Sequence, residues 1–364
     1  MSQPYNRVFN FSAGPCTLPV SVLEEAKEDL LNYKGTGMSV MEMSHRSKAY
    51  EKIIAEAEQD LRSLLNVPSE YKILFLQGGA STQFATLPMS YLEQGKTADY
   101  VITGAWGKKA LESAKIYGAT NTVFDAKAEN YNHVPDLGSL DYSADPAFVH
   151  FTTNETIQGV QFKSDPSLKA PVFCDMSSDI LSRPVDISKY RVIYAGAQKN
   201  MGPAGVTVVI NHEDQIAEGK PGLAPMFDYR VHVENGSMYN TPACWSIYMC
   251  GLVYKYLLNN GGLAAQQKRC EEKAQVLYNA IDNSGGFFKG HAKADCRSTM
   301  NVTFTLPSEE LTNQFVKESE ANGLDGLKGH RSVGGCRASI YNAFPIEGCE
   351  ALASAMKDFA AKNG

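Results

Sequence analysis

Short apolar runs, most of them separated by helical segments, recur along the first 210 positions, and this alternation restricts what the chain can fold into. ILFL (73–76), DYVIT (99–103), FVHFT (148–152), PVFCD (171–175), RVIYA (191–195) and VTVVI (206–210) read as strands. They are apolar throughout rather than alternating with polar residues. Such strands belong in a mostly parallel sheet covered by helices on both faces. Ile53, Ile54, Ala57, Leu61, Leu64 and Leu65 fall on one helical face within 48–65, and Pro68 lies beyond its end. Further helices are predicted from about Ser81 and over 106–117, the second stopping before Gly118.

Beyond about residue 260 the pattern changes. A helix over 263–283, the turn NSGG (283–286), a strand in TMNVTFTL (299–306) and a helix over 308–321 come first. A glycine-rich loop, a strand in CRASIY (336–341) and a terminal helix over 346–361 follow. The expectation is an α/β chain with a large, mostly parallel sheet domain, 1–260, and a smaller C-terminal α+β domain, 261–364. No internal repeat or long linker separates them.

Charge and composition narrow the partners. A net charge of −6 argues against a dedicated nucleic-acid or anionic-membrane binder. The apolar runs are far shorter than the ~20 residues of a spanning helix, and MSQPYNRVFNFSAGP lacks the pattern of a signal peptide. Eight cysteines without a CxxC pair read as thiols of a reducing compartment, and no Cys or His spacing suits a metal. A soluble cytoplasmic protein is expected, with no metal, membrane or nucleic acid.

In an open parallel sheet, ligands settle beyond the carboxyl ends of the strands. QGGAS (77–81) follows one predicted strand and opens a helix. Its glycines permit close backbone approach and its free N–H groups favour a phosphate, although an ordinary connecting turn looks the same. Asp175 closes PVFCD, as a helix N-cap or as the partner of a buried cation. Lys199 lies in YAGAQKNMGPAG (194–205), either as an exposed loop lysine or as a partly buried amine suited to Schiff-base chemistry. Trp106 follows DYVITGA, where it can cap the core or stack on a ring. Asp, Lys and a helix-bound phosphate at one sheet edge are the parts that hold pyridoxal phosphate (PLP). Two His-Arg pairs, His45–Arg46 and His330–Arg331, lie in predicted loops, and Arg337 follows the SVGG turn. Loop arginines are commonly solvated, but this set fits a substrate with an α-carboxylate and a distal anion, because guanidinium forks bind either one bidentately.

FNFSAGP (9–15), MSHR (43–46), QGGAS, TGAW (103–106), NET (154–156), AGAQKNMGPAG (195–205), YNTP (239–242) and KGHRSVGGCRASIYNA (328–343) complete the pattern. Together they resemble the phosphoserine aminotransferases, a class-V family of fold-type I PLP-dependent transferases. The resemblance runs in order along nearly the whole chain. It implies a homodimer whose active sites use both subunits. It makes Lys199 the lysine that carries the cofactor and Asp175 the partner of the ring nitrogen. Trp106 would stack on the ring and Thr156 would bond near its phenolic oxygen. Ala80, Ser81 and Gln198 would hold the cofactor phosphate, with Asn240 and Thr241 reaching in from the neighbouring subunit. Some members carry arginine where this chain has Ser81, so hydroxyls and backbone should matter more here. Ala13 is given no side-chain role.

The resemblance further implies that Arg337 takes the α-carboxylate and that His45, Arg46, His330 and Arg331 take the distal group, with the last two open to supply by the partner subunit. The implied reaction is reversible amino transfer between L-glutamate and 3-phosphohydroxypyruvate in serine biosynthesis. Use of 4-phosphohydroxythreonine in pyridoxine biosynthesis stays open. The alternatives are an alanine–glyoxylate aminotransferase, a cysteine desulfurase (Cys336 lies in the glycine-rich loop) and a non-catalytic PLP-binding module.

Overall fold

A computed structural model describes residues 4–364. Its centre is a seven-stranded sheet in the order Tyr71–Leu76, Thr207–His212, Val192–Gly196, Val172–Asp175, Phe148–Thr152, Thr97–Ile102 and Ala119–Asp125. Only Thr207–His212 runs against its neighbours, pairing antiparallel with the strands on either side. Two reversals cancel, so Tyr71–Leu76 points the same way as Val192–Gly196. Five strands beginning at Tyr71, Thr97, Phe148, Val172 and Val192 therefore deliver their following residues to one edge. This is the mostly parallel sheet read from the sequence.

The edge strand Ala119–Asp125 has no counterpart in that reading. Its residues are exposed or half-buried, so it lacks the apolar run that marks its neighbours. Helix Cys244–Asn259 is also unmarked, for the opposite reason. Ile247, Tyr248, Met249, Cys250, Leu252, Val253, Tyr254 and Leu257 are all buried, and a helix apolar on every side shows no amphipathic period. It lies against helix Lys48–Leu65, where a side chain on Gly251 would meet Ala57 at 3.3 Å. The helix expected over 106–117 spans Ala105–Ala114, and a turn completes the segment.

A second core forms around helices Gly262–Asp282, Glu309–Ala321 and Ile346–Asn363 and the strands Asn301–Thr305 and Cys336–Ser339. Phe9 and Phe11 belong to this core, because Phe9–Asn10 pairs in parallel with Leu324–Asp325. The N-terminal segment thus crosses back over the division at residue 260. Lys273 is buried in this region. Its amine donates to the carbonyls of Ile340 (2.9 Å), Tyr341 (2.5 Å) and Phe344 (3.1 Å), fixing the turn that follows the strand of Arg337.

Polar side chains join the two cores. Asn154 Nδ2 donates to Asn301 Oδ1 at 2.8 Å, and Asn301 Nδ2 donates to Tyr341 Oη at 3.1 Å. Tyr341 Oη in turn donates to the carbonyl of Ala13 at 2.8 Å. These groups are buried with their hydrogen bonds made, so they specify how the cores meet without leaving polar atoms stranded.

Candidate active site

The strand ends converge on a cleft of about 170 Å³. Ala80, Ser81, Trp106, Thr156, Asp175, Gln198 and Lys199, all singled out from the sequence, line it. Each arrives by the same local logic: an apolar strand ends, and the next residues turn out of the sheet.

Helix Gly79–Tyr91 begins after Leu76 through Gly78, which has φ +96° and supplies no side-chain cap. Its first-turn N–H groups and the positive end of its dipole face outward, a ready anion site. A Cβ on Gly78 would lie 2.0 Å from Thr82 Oγ1, so this turn requires glycine. Asp175 ends its strand almost wholly buried, and its Oδ1 accepts the N–H of Ser177 at 2.8 Å. Burial raises its pKa, while Ser177 and the Lys199 charge pull it back.

Lys199 sits in the turn beyond Gly196. Its amine donates to Thr156 Oγ1 at 2.6 Å and lies 5.8 Å from the centre of the Trp106 ring. Burial lowers its pKa to about 8, opposed by the negative charges of Asp175 and Glu155 and reinforced by Arg337. A lysine in that range can release its proton near neutrality, as an ordinary surface lysine cannot. Below Lys199, Cys16 Sγ donates to its carbonyl at 2.6 Å. That thiol is pushed up to about 12 by burial, so it is a structural donor.

Among the described residues that line the cleft, the remaining candidates do not appear. Asn240 Nδ2 donates to Gln77 Oε1 at 3.3 Å and the Thr241 carbonyl accepts from Gln77 Nε2, outside the cleft. Arg46, His330 and Arg331 are exposed; His45 is half-buried, with its Nε2 unpartnered. Arg337 stands nearer: it is half-buried, its Nε has no partner, and its charge reaches both Lys199 and His330. Cys336 is buried and its thiol is pushed up to about 12, which removes the nucleophile a desulfurase needs.

Glu155 was passed over in the sequence, hidden inside NET. It is 0 % exposed, and its two oxygens accept the N–H groups of Trp106 (3.0 Å) and Gly107 (2.8 Å). Burial raises its pKa to about 7. No spacing rule joins a carboxylate to a helix start 48 residues away.

The family model for class-V aminotransferases matches residues 8–352. A phosphoserine aminotransferase of Geobacillus kaustophilus is 54% identical over 353 residues, 97% of this chain and 98% of the relative. The solved phosphoserine aminotransferase of Bacillus circulans subsp. alkalophilus superposes with a TM-score of 0.96 at 51% identity, covering 98% of this chain and 99% of that one. A PLP-bound phosphoserine aminotransferase from Trichomonas vaginalis gives 0.92 at 41% identity, covering 96% and 100%. With the family model matching nearly the whole chain and identity sustained over nearly its full length, the chain belongs to the class-V aminotransferases, within their phosphoserine aminotransferase family.

Proposed function

We propose that this chain transfers an amino group between L-glutamate and 3-phosphohydroxypyruvate, giving 2-oxoglutarate and O-phospho-L-serine for serine biosynthesis, with pyridoxal phosphate as cofactor. The observation that carries the reading is the meeting of Lys199, Asp175, Thr156, Trp106 and an uncapped helix start around one cleft. The residues fit that cofactor. Trp106 Nε1 and Thr152 Oγ1 are buried there without partners, and the first turn of Gly79–Tyr91 has free N–H groups for a phosphate.

Bound PLP supplies an aldehyde for the amine and a ring that draws off the electrons of the broken Cα–H bond. Lys199 would hold the cofactor, and its amine, when free, would act as the base that takes the substrate Cα proton and as the acid that gives it back. Its lowered pKa leaves a far larger share of the amine free to do so than an ordinary lysine has near neutrality. Asp175 would keep a positive charge on the ring nitrogen by charge pairing. Thr156 accepts from the lysine amine, and its hydroxyl would be able to donate to the ring oxygen of the bound cofactor. Ala80, Ser81 and Gln198 take the phosphate, Trp106 covers the ring, and Arg337 takes the α-carboxylate.

A homodimer completes this assignment. Asn240 and Thr241 lie outside their own cleft beside exposed Met226, Phe227 and Tyr239. The segment leading to His45 and Arg46 exposes Leu30, Leu31, Met38 and Met41. Apolar surface flanking unused polar groups fits a second copy of the chain, which would bring Asn240 and Thr241 to the phosphate and His330 and Arg331 to the distal anion. Sedimentation equilibrium is expected to give twice the 39.8 kDa of one chain. A monomer at micromolar concentration would remove the shared site.

In this reading residues 1–260 bind the cofactor and 261–364 form the smaller domain, to whose core Phe9 and Phe11 contribute. All eight cysteines are unpaired, which suits the cytoplasm.

The test is direct. L-Glutamate added to the PLP-loaded protein is expected to bleach the bound chromophore and release one equivalent of 2-oxoglutarate. Bleaching by alanine alone would favour an alanine–glyoxylate aminotransferase, and no bleaching a binding module. In the same assay Arg331→Ala is expected to raise KM for 3-phosphohydroxypyruvate by about 10- to 100-fold, the worth of one charged hydrogen-bonding group. The doubly charged phosphate should lose more than the carboxylate of glutamate.

A further inference from the structure

Helix Ala105–Ala114 begins after Gly104, which offers no side-chain cap. The N–H groups of its first three residues are nevertheless taken by one distant hairpin, Asn154–Glu155 paired with Val160–Gln161. Gln158 Oε1 accepts from Ala105 N at 3.3 Å, Glu155 Oε2 from Trp106 N at 3.0 Å and Glu155 Oε1 from Gly107 N at 2.8 Å. The carboxylate lies directly against this backbone. A Cβ on Gly104 would meet Glu155 Cδ at 2.5 Å and Gln158 Oε1 at 2.6 Å, and one on Gly107 would meet Glu155 Oε1 at 3.3 Å. The next residue, Thr156, accepts from Lys199.

A serine at position 104 would cap this helix locally and without burying a charge. The chain instead buries a glutamate completely, at a desolvation cost seen in its raised pKa. What the long-range cap adds is position. The Nε1 of the Trp106 indole makes no hydrogen bond of its own. The backbone of that residue is held by the same hairpin that holds the lysine. The hairpin is itself tied to the second core: Gly159 O accepts from Ser298 N at 3.0 Å, and Ile157 O from Thr303 Oγ1 at 3.2 Å.

We propose that Glu155 is a positioning residue that sets the indole of Trp106 over the cleft by anchoring the first turn of its helix to the hairpin that also holds Lys199. The inference rests on the reading above, in which Trp106 covers the cofactor ring. Glutamine in its place has the same shape but one acceptor, so its amide N–H₂ must confront one of the two backbone donors. The helix start then shifts or loses a bond, and the indole moves with it.

Charged and titratable groups around Glu155 include Asp175 and Lys199 at the strand ends and Tyr131 beside it. Across the indole lie Lys109, 4.2 Å from the ring centre, and His330 near that lysine. Their titrations must be separated from its own.

The chain has two tryptophans, Trp106 and Trp245, so Trp245→Phe leaves Trp106 as the sole indole reporter. In that background the apoprotein is expected to show a step in emission near pH 7 that Glu155→Gln abolishes, while any step from Lys199 near pH 8 survives. With PLP added, the Gln variant should still form the lysine-bound chromophore but quench Trp106 less. Its kcat should fall about 10- to 100-fold with KM for glutamate nearly unchanged, as for other residues that orient a contacting group. Identical emission, pH profile and quenching in the two proteins would overturn the proposal, whatever the melting temperature. Should the Gln variant fail to fold, Glu155→Asp keeps both acceptors on a shorter arm. It should retain the pH step with altered emission; unaltered emission would overturn the proposal. Failure of the parent to take up PLP would instead sink the functional reading, and the apoprotein emission would still decide the role of Glu155.

Discussion

Lys199→Ala is expected to abolish steady-state amino transfer, by about 10⁴-fold or more, because in the proposed function one amine both carries the cofactor and moves the substrate proton. Neither Thr156 nor Cys16 can substitute. The threonine hydroxyl is a poor base, and the Cys16 thiol faces the carbonyl of Lys199 with its pKa pushed up to about 12. The visible chromophore formed with PLP should vanish in the same variant. Retained turnover would refute the assignment.

The lysine also carries a stability signature with a definite sign. Its folded pKa of about 8 lies below the ordinary 10.5, so between these values the unfolded chain binds the extra proton and stability rises with pH. The penalty is full below pH 8 and gone above 10.5. Lys199→Met, apolar and of similar length, should therefore stabilise the apoprotein by up to about 3 kcal/mol at pH 7. The gain should disappear in alkaline solution. Denaturant unfolding at pH 7 and pH 10.5 checks it, and a gain of equal size at both would show that the amine is not desolvated.

Asp175→Asn should give the second largest loss, on the order of 10²- to 10⁴-fold in kcat, the range typical of groups that hold a proton where the reaction needs it. The amide keeps the shape and can still accept from Ser177 N. In the proposed function it would carry no charge to keep the ring nitrogen protonated. Cofactor uptake should survive. Removing Asp175 also removes the negative charge that ranks first among those raising the Lys199 pKa, so the lysine should titrate below 8. The acidic limb of the pH–rate profile should move to lower pH. A variant with normal kcat, or with the limb unmoved, would separate Asp175 from the lysine and from the ring.

Much of this was legible in the chain because it depends on near neighbours. ILFL and PVFCD announce buried strands by composition, and QGGAS and GAQKN announce turns by their glycines and position. Since residues after parallel strands must emerge at one edge, QGGAS, Trp106, Asp175 and Lys199 group together from the sequence alone, whereas Thr156 follows only from the family resemblance. The edge strand Ala119–Asp125 and the buried helix Cys244–Asn259 escaped for matching reasons. One is too exposed to look like a strand, and the other too buried to look like a surface helix.

The sequence by itself determined most of the elements and their order, the meeting of QGGAS, Trp106, Asp175 and Lys199 at one edge and the family to which the chain belongs, because local periodicity and motif spacing are properties of adjacent residues. Only the folded molecule decided that Glu155 caps the helix of Trp106, that Phe9 and Phe11 join the C-terminal core, and that the Lys199 amine titrates near neutrality. Those outcomes turn on desolvation and on partners tens to hundreds of positions away, and both exist only after the chain has closed around them.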